Sequence, residues 1–107
     1  MDFAGFDWDA GNREKCSKHG VTTEAIEQLF LRGLIVLPDE VHSQDEQRFR
    51  AIGRMADGRG VFVVFALRQR GTGKLVRPIS ARYMHEKELK RYEENYEAEE
   101  APGLRKR

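Results

Sequence analysis

Residues 48–67 read RFRAIGRMADGRGVFVVFAL, and the fold turns on them. From 48 to 55 the side chains alternate. Arg48, Arg50, Ile52 and Arg54 fall on one face, and Phe49, Ala51, Gly53 and Met55 on the other, the period of two that a strand imposes. Asp57-Gly58 supplies a hairpin turn. Residues 61–67 (VFVVFAL) are apolar on both faces, which marks a central strand covered on both sides. Two paired strands, one of them central, predict an antiparallel sheet with a layer packed on it.

Working outward, residues 34–37 form a short strand ended by Pro38, and residues 39–47 (DEVHSQDEQ) a polar loop. On the other side the loop QRGTGK, residues 69–74, carries two glycines and no apolar residue. A strand then runs over 74–83, in which Pro78 signals an edge or a bulge. Near the start, residues 3–8 read as an aromatic-rich strand. Asp9 caps a short polar helix over 12–19, stopped by Gly20. Thr22 or Thr23 caps a second helix to about residue 31, with Ile26, Leu29 and Phe30 at helical spacing. A last helix is expected over 85–99, with Leu89, Tyr92 and Tyr96 as a narrow apolar stripe and Glu86–Lys90 as a favourable i,i+4 pair. The reading is an α+β domain over 1–100, a small antiparallel sheet with two N-terminal helices and one C-terminal helix, followed by a frayed tail over 101–107.

The chain has 107 residues, 39% hydrophobic and 35% charged, enough for one modest core. Its longest apolar run is far too short to span a bilayer and its acidic start is unlike a signal peptide, so a cytoplasmic protein is expected. One cysteine, Cys16, excludes an internal disulfide and reads as a reduced structural thiol. The net charge of +1 conceals segregation: residues 1–46 sum to −6, 47–82 to +8, 83–100 to −4 and 101–107 to +3. A local basic surface can bind phosphate on a nearly neutral molecule. The same arginines could equally be spread around a solvated sheet edge.

An ordered set of short motifs runs through this frame. It comprises Phe6-Asp7-Trp8-Asp9, Asn12, Lys15 and Lys18-His19-Gly20-Val21, then Leu37-Pro38-Asp39-Glu40, His42-Ser43 and Glu46. Arg48-Phe49, Ile52-Gly53-Arg54, Gly58-Arg59, Val63-Val64 and Leu67-Arg68 follow, closed by Ile79-Ser80-Ala81-Arg82, Met84, Lys87-Glu88 and Tyr92. Over roughly residues 6–92 the chain resembles the BrnT toxin family. Pro78, Tyr83 and the loop 69–74 depart from the family pattern. The resemblance implies a fold similar to RelE-type toxins and metal-independent RNA cleavage that arrests bacterial growth. It also implies neutralisation by a BrnA-like antitoxin with a ribbon-helix-helix domain, with operator DNA bound only through the antitoxin complex. Neither a cofactor nor a metal is implied.

Cleaving RNA without metal requires a base for the 2′-OH, positive charge on the phosphorane-like transition state, and an acid for the leaving oxygen. Arginine suits the second role because it is always charged and can hold two phosphate oxygens. Arg48 and Arg82 are the candidate catalytic arginines; Lys18, Arg50, Arg54, Arg68 and Arg77 are candidate RNA contacts. Each could instead pair with acidic helices. His19 is the acid–base candidate because imidazole titrates near neutrality, although a histidine ending a helix can simply face its last carbonyls. Glu46, beside His42 and Ser43, is a candidate general base or a solvated carboxylate. Trp8 reads as core rather than as a base-stacking platform. His85-x-x-Glu88 is the one metal-like pair and lacks further ligands, and Gly71-x-Gly73-Lys74 lacks the spacing of a phosphate loop. A catalytically silent antitoxin-docking or nucleic-acid-binding protein of the same fold is the alternative reading.

Overall fold

Residues 61–67 do form the centre of the molecule. The computed structural model, which describes residues 2–97, places them in β4 (Gly60–Arg70), flanked by β3 (Arg48–Arg54) and β5 (Gly73–Met84). β2 (Ile35–Pro38) adds antiparallel to β3, and β1 (Gly5–Phe6) lies on the outer side of β5, giving the order β1-β5-β4-β3-β2. Three helices complete the described fold: α1 (Ala10–Ser17), α2 (Thr23–Leu31) and α3 (Glu86–Asn95). No helix among the described residues is long and apolar enough to cross a membrane.

The sheet is mixed, not purely antiparallel, because β1 runs parallel to β5. Only hairpin-linked neighbours are forced antiparallel, and β1 meets a strand some seventy residues away. β1 is also shorter than the expected 3–8: flanking residues add single backbone bonds, Ala4 N–H to Lys74 O (2.7 Å) and Asp7 N–H to Val76 O (2.8 Å).

Strand register sorts the side chains. One face, carrying Phe49, Ala51, Val61, Val63, Phe65, Val76 and Ala81, is covered by α1 and α2. Phe30 from α2 meets Phe3, Phe6 and Phe65 edge to face at 5.0–6.0 Å. Ile26, Leu29 and Phe30 are all fully buried there, as their helical spacing predicts. The caps are also as read: Asp9 Oδ1 accepts from Asn12 N, and Thr22 Oγ1 from Ala25 N. The second face carries Ile35, Ile52 and Phe62, and α3 lays Leu89 on them. Gly60 permits this approach: a Cβ there would stand 2.8 Å from Leu89 Cδ2. At the β3–β4 turn Gly58 takes φ +90°, in the hairpin that Asp57-Gly58 signals.

Several boundaries differ from expectation: α1 covers Ala10–Ser17, two residues ahead of the expected 12–19, because it starts directly after its cap Asp9. The supposed loop 69–74 is mostly strand, with only Gly71 and Thr72 turning between Arg70 and Gly73. Its polar residues project where no layer covers the sheet, so they need no apolar pattern. α3 stops at Asn95, and Tyr96 is extended. The last turn holds no basic residue, and Glu93 and Glu94 oppose the helix dipole there. Residues 98–99 of the expected helix and the expected tail 101–107 lie outside the described residues. Of the two readings of Pro78, the bulge is the one realised, on an inner strand: Val64 faces Ser80 while Phe65 faces Pro78, leaving Ile79 as the extra residue.

Candidate active site

That bulge decides the site. Arg77 and Arg82 are five residues apart, so an unbroken strand would put them on opposite faces. With Ile79 bulged out, Arg77 pairs with Ala66 and Arg82 with Phe62, residues of one face of β4. All six arginines singled out from the sequence thus share the second face: Arg48, Arg50 and Arg54 on β3, Arg68 on β4, Arg77 and Arg82 on β5.

α3 divides them into two groups. Under the helix, Arg54 uses every N–H it has: Nε and Nη2 reach Glu93, Nη1 and Nη2 reach Glu86, and Nη1 also donates to Gly58 O, all within 3.1 Å. Arg82 forks onto Glu88 at 2.8 and 3.1 Å and stacks on Phe62, its Cζ 4.6 Å from the ring centroid. Arg50 donates to Tyr92 Oη and Pro38 O, both at 3.3 Å. These three arginines hold α3 to the sheet, since Leu89 is the one buried residue of the helix. The partnership fixes the behaviour in acid. The guanidinium of Arg54 holds the Glu86 carboxyl below its ordinary 4.5, and that of Arg82 does the same for Glu88. A depressed folded value contributes stability above the ordinary value and loses it as the pH falls through the folded one. Protection of the α3 amides against hydrogen exchange, relative to their intrinsic rates, should therefore fall selectively below about pH 4.5; α3 protection that falls no faster than that of β4 down to about pH 3 would refute the clamp.

Beyond the edge of α3 the face is open. Arg48 and Arg77 flank the buried Ala66 on neighbouring strands, about 10 Å apart at Cα. Arg68 lies two residues further along β4, and the loop before β3 brings in Glu46. Ser43 fixes that loop by accepting from Arg48 N at 2.9 Å and donating to Asp39 O. Together with Gly11, Asn12 and Lys15 of α1, and Ile79, these side chains line a pocket of about 310 Å³. Glu46 takes both ends of the Arg68 guanidinium, at 3.1 and 3.3 Å, and sits 3.8 Å from Arg48 Nη2. Arg48 Nε is buried and finds no hydrogen-bond partner among the described residues. Arg77 is held by Asp9 at 2.9 Å and Asp7 at 3.5 Å. Asp9 lies below the usual carboxylate range, first because it caps Asn12 N and then because it binds Arg77.

Of the residues marked from sequence, Glu46, Arg48, Arg68 and Arg77 come together here; Arg50, Arg54 and Arg82 do not. Lys18 caps the C-terminal end of α1, and His19 is exposed in the turn that follows. Neither lines the pocket. Lys15 and Asn12 do; both belong to the ordered motif set of the sequence, but nothing in their spacing marked them as pocket residues. Asn12 is buried and stitches three segments together: Oδ1 accepts from Asp9 N (2.7 Å), and Nδ2 donates to Asp7 O (2.9 Å) and Pro78 O (2.8 Å).

The remaining candidates have other occupations. Trp8 packs against the core and donates Nε1–H to Glu27 at 2.8 Å. Burial pushes the Cys16 thiol up to about 11, which keeps it protonated. Glu88, half of the one metal-like pair, is committed to Arg82.

A pocket with three guanidinium groups, one ammonium and one carboxylate is suited to a phosphodiester: the cations can neutralise the phosphate while the carboxylate handles a proton. Comparison with known proteins agrees in kind. No curated protein matches the chain. A family model does, over residues 8–88 and so across well over half of the sequence, and it describes the ribonuclease toxin BrnT of type II toxin–antitoxin systems. The matched segment contains every residue lining the arginine pocket. The chain therefore belongs to the BrnT family of type II ribonuclease toxins.

Proposed function

We propose that this protein is a metal-independent endoribonuclease of RelE-like fold that cleaves RNA at the Glu46–Arg48–Arg68–Arg77 pocket. The 2′-OH attacks the adjacent phosphorus in line, and Glu46 accepts its proton. Arg48 and Arg68 neutralise the equatorial oxygens, and Arg77 anchors the phosphate on the α1 side. The products are a 2′,3′-cyclic phosphate and a 5′-OH. The single observation that carries this reading is the convergence of three arginines and one carboxylate on the open half of the sheet. Guanidinium groups supply the charge neutralisation that a metal would otherwise provide.

Membership of the family implies an RNA substrate and an antitoxin partner. We take that partner to be a BrnA-like ribbon-helix-helix protein, which binds operator DNA for the complex, and the compartment to be the cytoplasm. Arg82, the arginine of the closing sequence motif, serves in this reading to hold α3, and His19 has no proton-transfer role.

The test is cleavage of a 5′-labelled RNA by pure, antitoxin-free protein in EDTA. Fragments ending in a cyclic phosphate are expected. Intact RNA, or cleavage that returns only with added divalent metal, would overturn the proposal.

A further inference from the structure

We infer that Lys15 is the proton donor to the leaving 5′ oxygen, an inference that rests on the ribonuclease reading of the pocket. Glu46 is the one carboxylate lining the pocket, and it takes the 2′ proton. A guanidinium group stays protonated throughout, so Arg48, Arg68 and Arg77 serve as charge donors and not as acids. Of the pocket-lining side chains this leaves Lys15 with a proton that can be exchanged. His19, the residue the sequence favours for this role, lies beyond the end of α1 and outside the pocket.

The geometry of α1 supports the assignment. Asn12 pins the first turn of the helix to Pro78 of β5 and to Asp7, and Lys15 follows one turn later on the side facing the pocket. The arginines are already engaged, Arg48 and Arg68 with Glu46 and Arg77 with Asp7 and Asp9. The Lys15 ammonium has no ion-pair partner among the described residues, so it is free to meet an arriving oxygen. It approaches from α1, while Glu46 approaches from the β3 side. Two proton carriers on different walls are what in-line displacement requires, since attacking and leaving oxygens lie on opposite sides of the phosphorus.

The step balances. The 2′ oxygen–phosphorus bond forms as the phosphorus–5′ oxygen bond breaks. Glu46 gains the 2′ proton, and Lys15 gives one to the 5′ oxygen and becomes an amine. Exchange with water then returns both groups to their starting forms.

The experiment uses two oligonucleotides of one sequence, cut at a site first mapped on ordinary RNA. One has the natural 5′ oxygen at that site, and the other has sulfur in its place, which leaves as a thiolate and needs no proton. Lys15→Ala should cut the oxygen substrate about 10²-fold more slowly or worse, and the sulfur substrate at nearly the wild-type rate. Lys15→Arg, which keeps the charge but cannot surrender the proton, should behave like Lys15→Ala. Equal slowing on both substrates would make Lys15 a phosphate contact and overturn the proposal, as would no slowing on either. Wild-type protein that cuts neither substrate would instead bring down the ribonuclease reading itself.

Discussion

Arg48→Ala is expected to slow RNA cleavage about 10²–10³-fold while the protein remains folded, the loss typical of removing one preorganised donor from a developing oxyanion. Arg48 is chosen over its neighbours on physical grounds. Its side chain is 32% exposed against 44% for Arg68, so its charge is less screened by water. Both terminal nitrogens of Arg68 are taken by Glu46, and Arg77 is neutralised by two aspartates. Arg48 alone of the three has a buried donor, Nε, with no partner among the described residues. A buried donor left unpaired is costly. Arg48→Lys should lose most of the activity too, because a point charge cannot fork across two oxygens. Single-turnover cleavage rates with a parallel thermal melt check this. Activity within threefold of wild type would remove Arg48 from the mechanism. Arg82→Ala offers the contrast, since its first effect should be on the attachment of α3.

The largest effect on stability is expected at Asn12. Asn12→Leu keeps the volume but leaves the carbonyls of Asp7 and Pro78 without their donors, and the Pro78 bond is buried. Unsatisfied buried polar groups cost about 1–3 kcal/mol each, so a loss of about 3 kcal/mol is expected. Against the 5–15 kcal/mol typical of a whole domain this is severe, and for one of this size it lowers Tm by on the order of 10–20 °C. Urea denaturation and thermal melts would measure it. Asn12→Asp should be nearly as damaging, because it preserves the acceptor and removes both donors. A loss below about 1 kcal/mol would mean that α1 is held by its apolar contacts instead. Because Asn12 ties α1 to β5, the variant should also lose cleavage activity at temperatures where it is still folded.

Much of the secondary structure was legible because its causes are local. Asp9 and Thr22 declare helix starts through side chains that reach the next turn. Alternation in 48–54 and the two-sided apolar run from 61 identify two strands, the second of them central. The length of the β4–β5 hairpin was not legible, because Gln69, Arg70 and Lys74 are solvated in a strand as they would be in a loop. Neither was the parallel pairing of β1, which depends on a partner far along the chain.

The sequence by itself determined the inventory: a chain with a basic middle segment, arginines placed along its strands, and the acidic pair Asp45-Glu46 just before Arg48. It also determined which residues share a face within each uninterrupted strand, since a period of two is a property of the backbone. Only the tertiary structure decided which arginines lie together. The bulge at Ile79 reverses the parity of β5 and brings Arg77 onto the face of Arg48 and Arg68. α3 then covers Arg50, Arg54 and Arg82 with its own carboxylates and Tyr92, while α1 carries Lys15 to the pocket and leaves His19 outside. Pairing register and helix docking are set by contacts between distant segments, and local spacing carries no record of them.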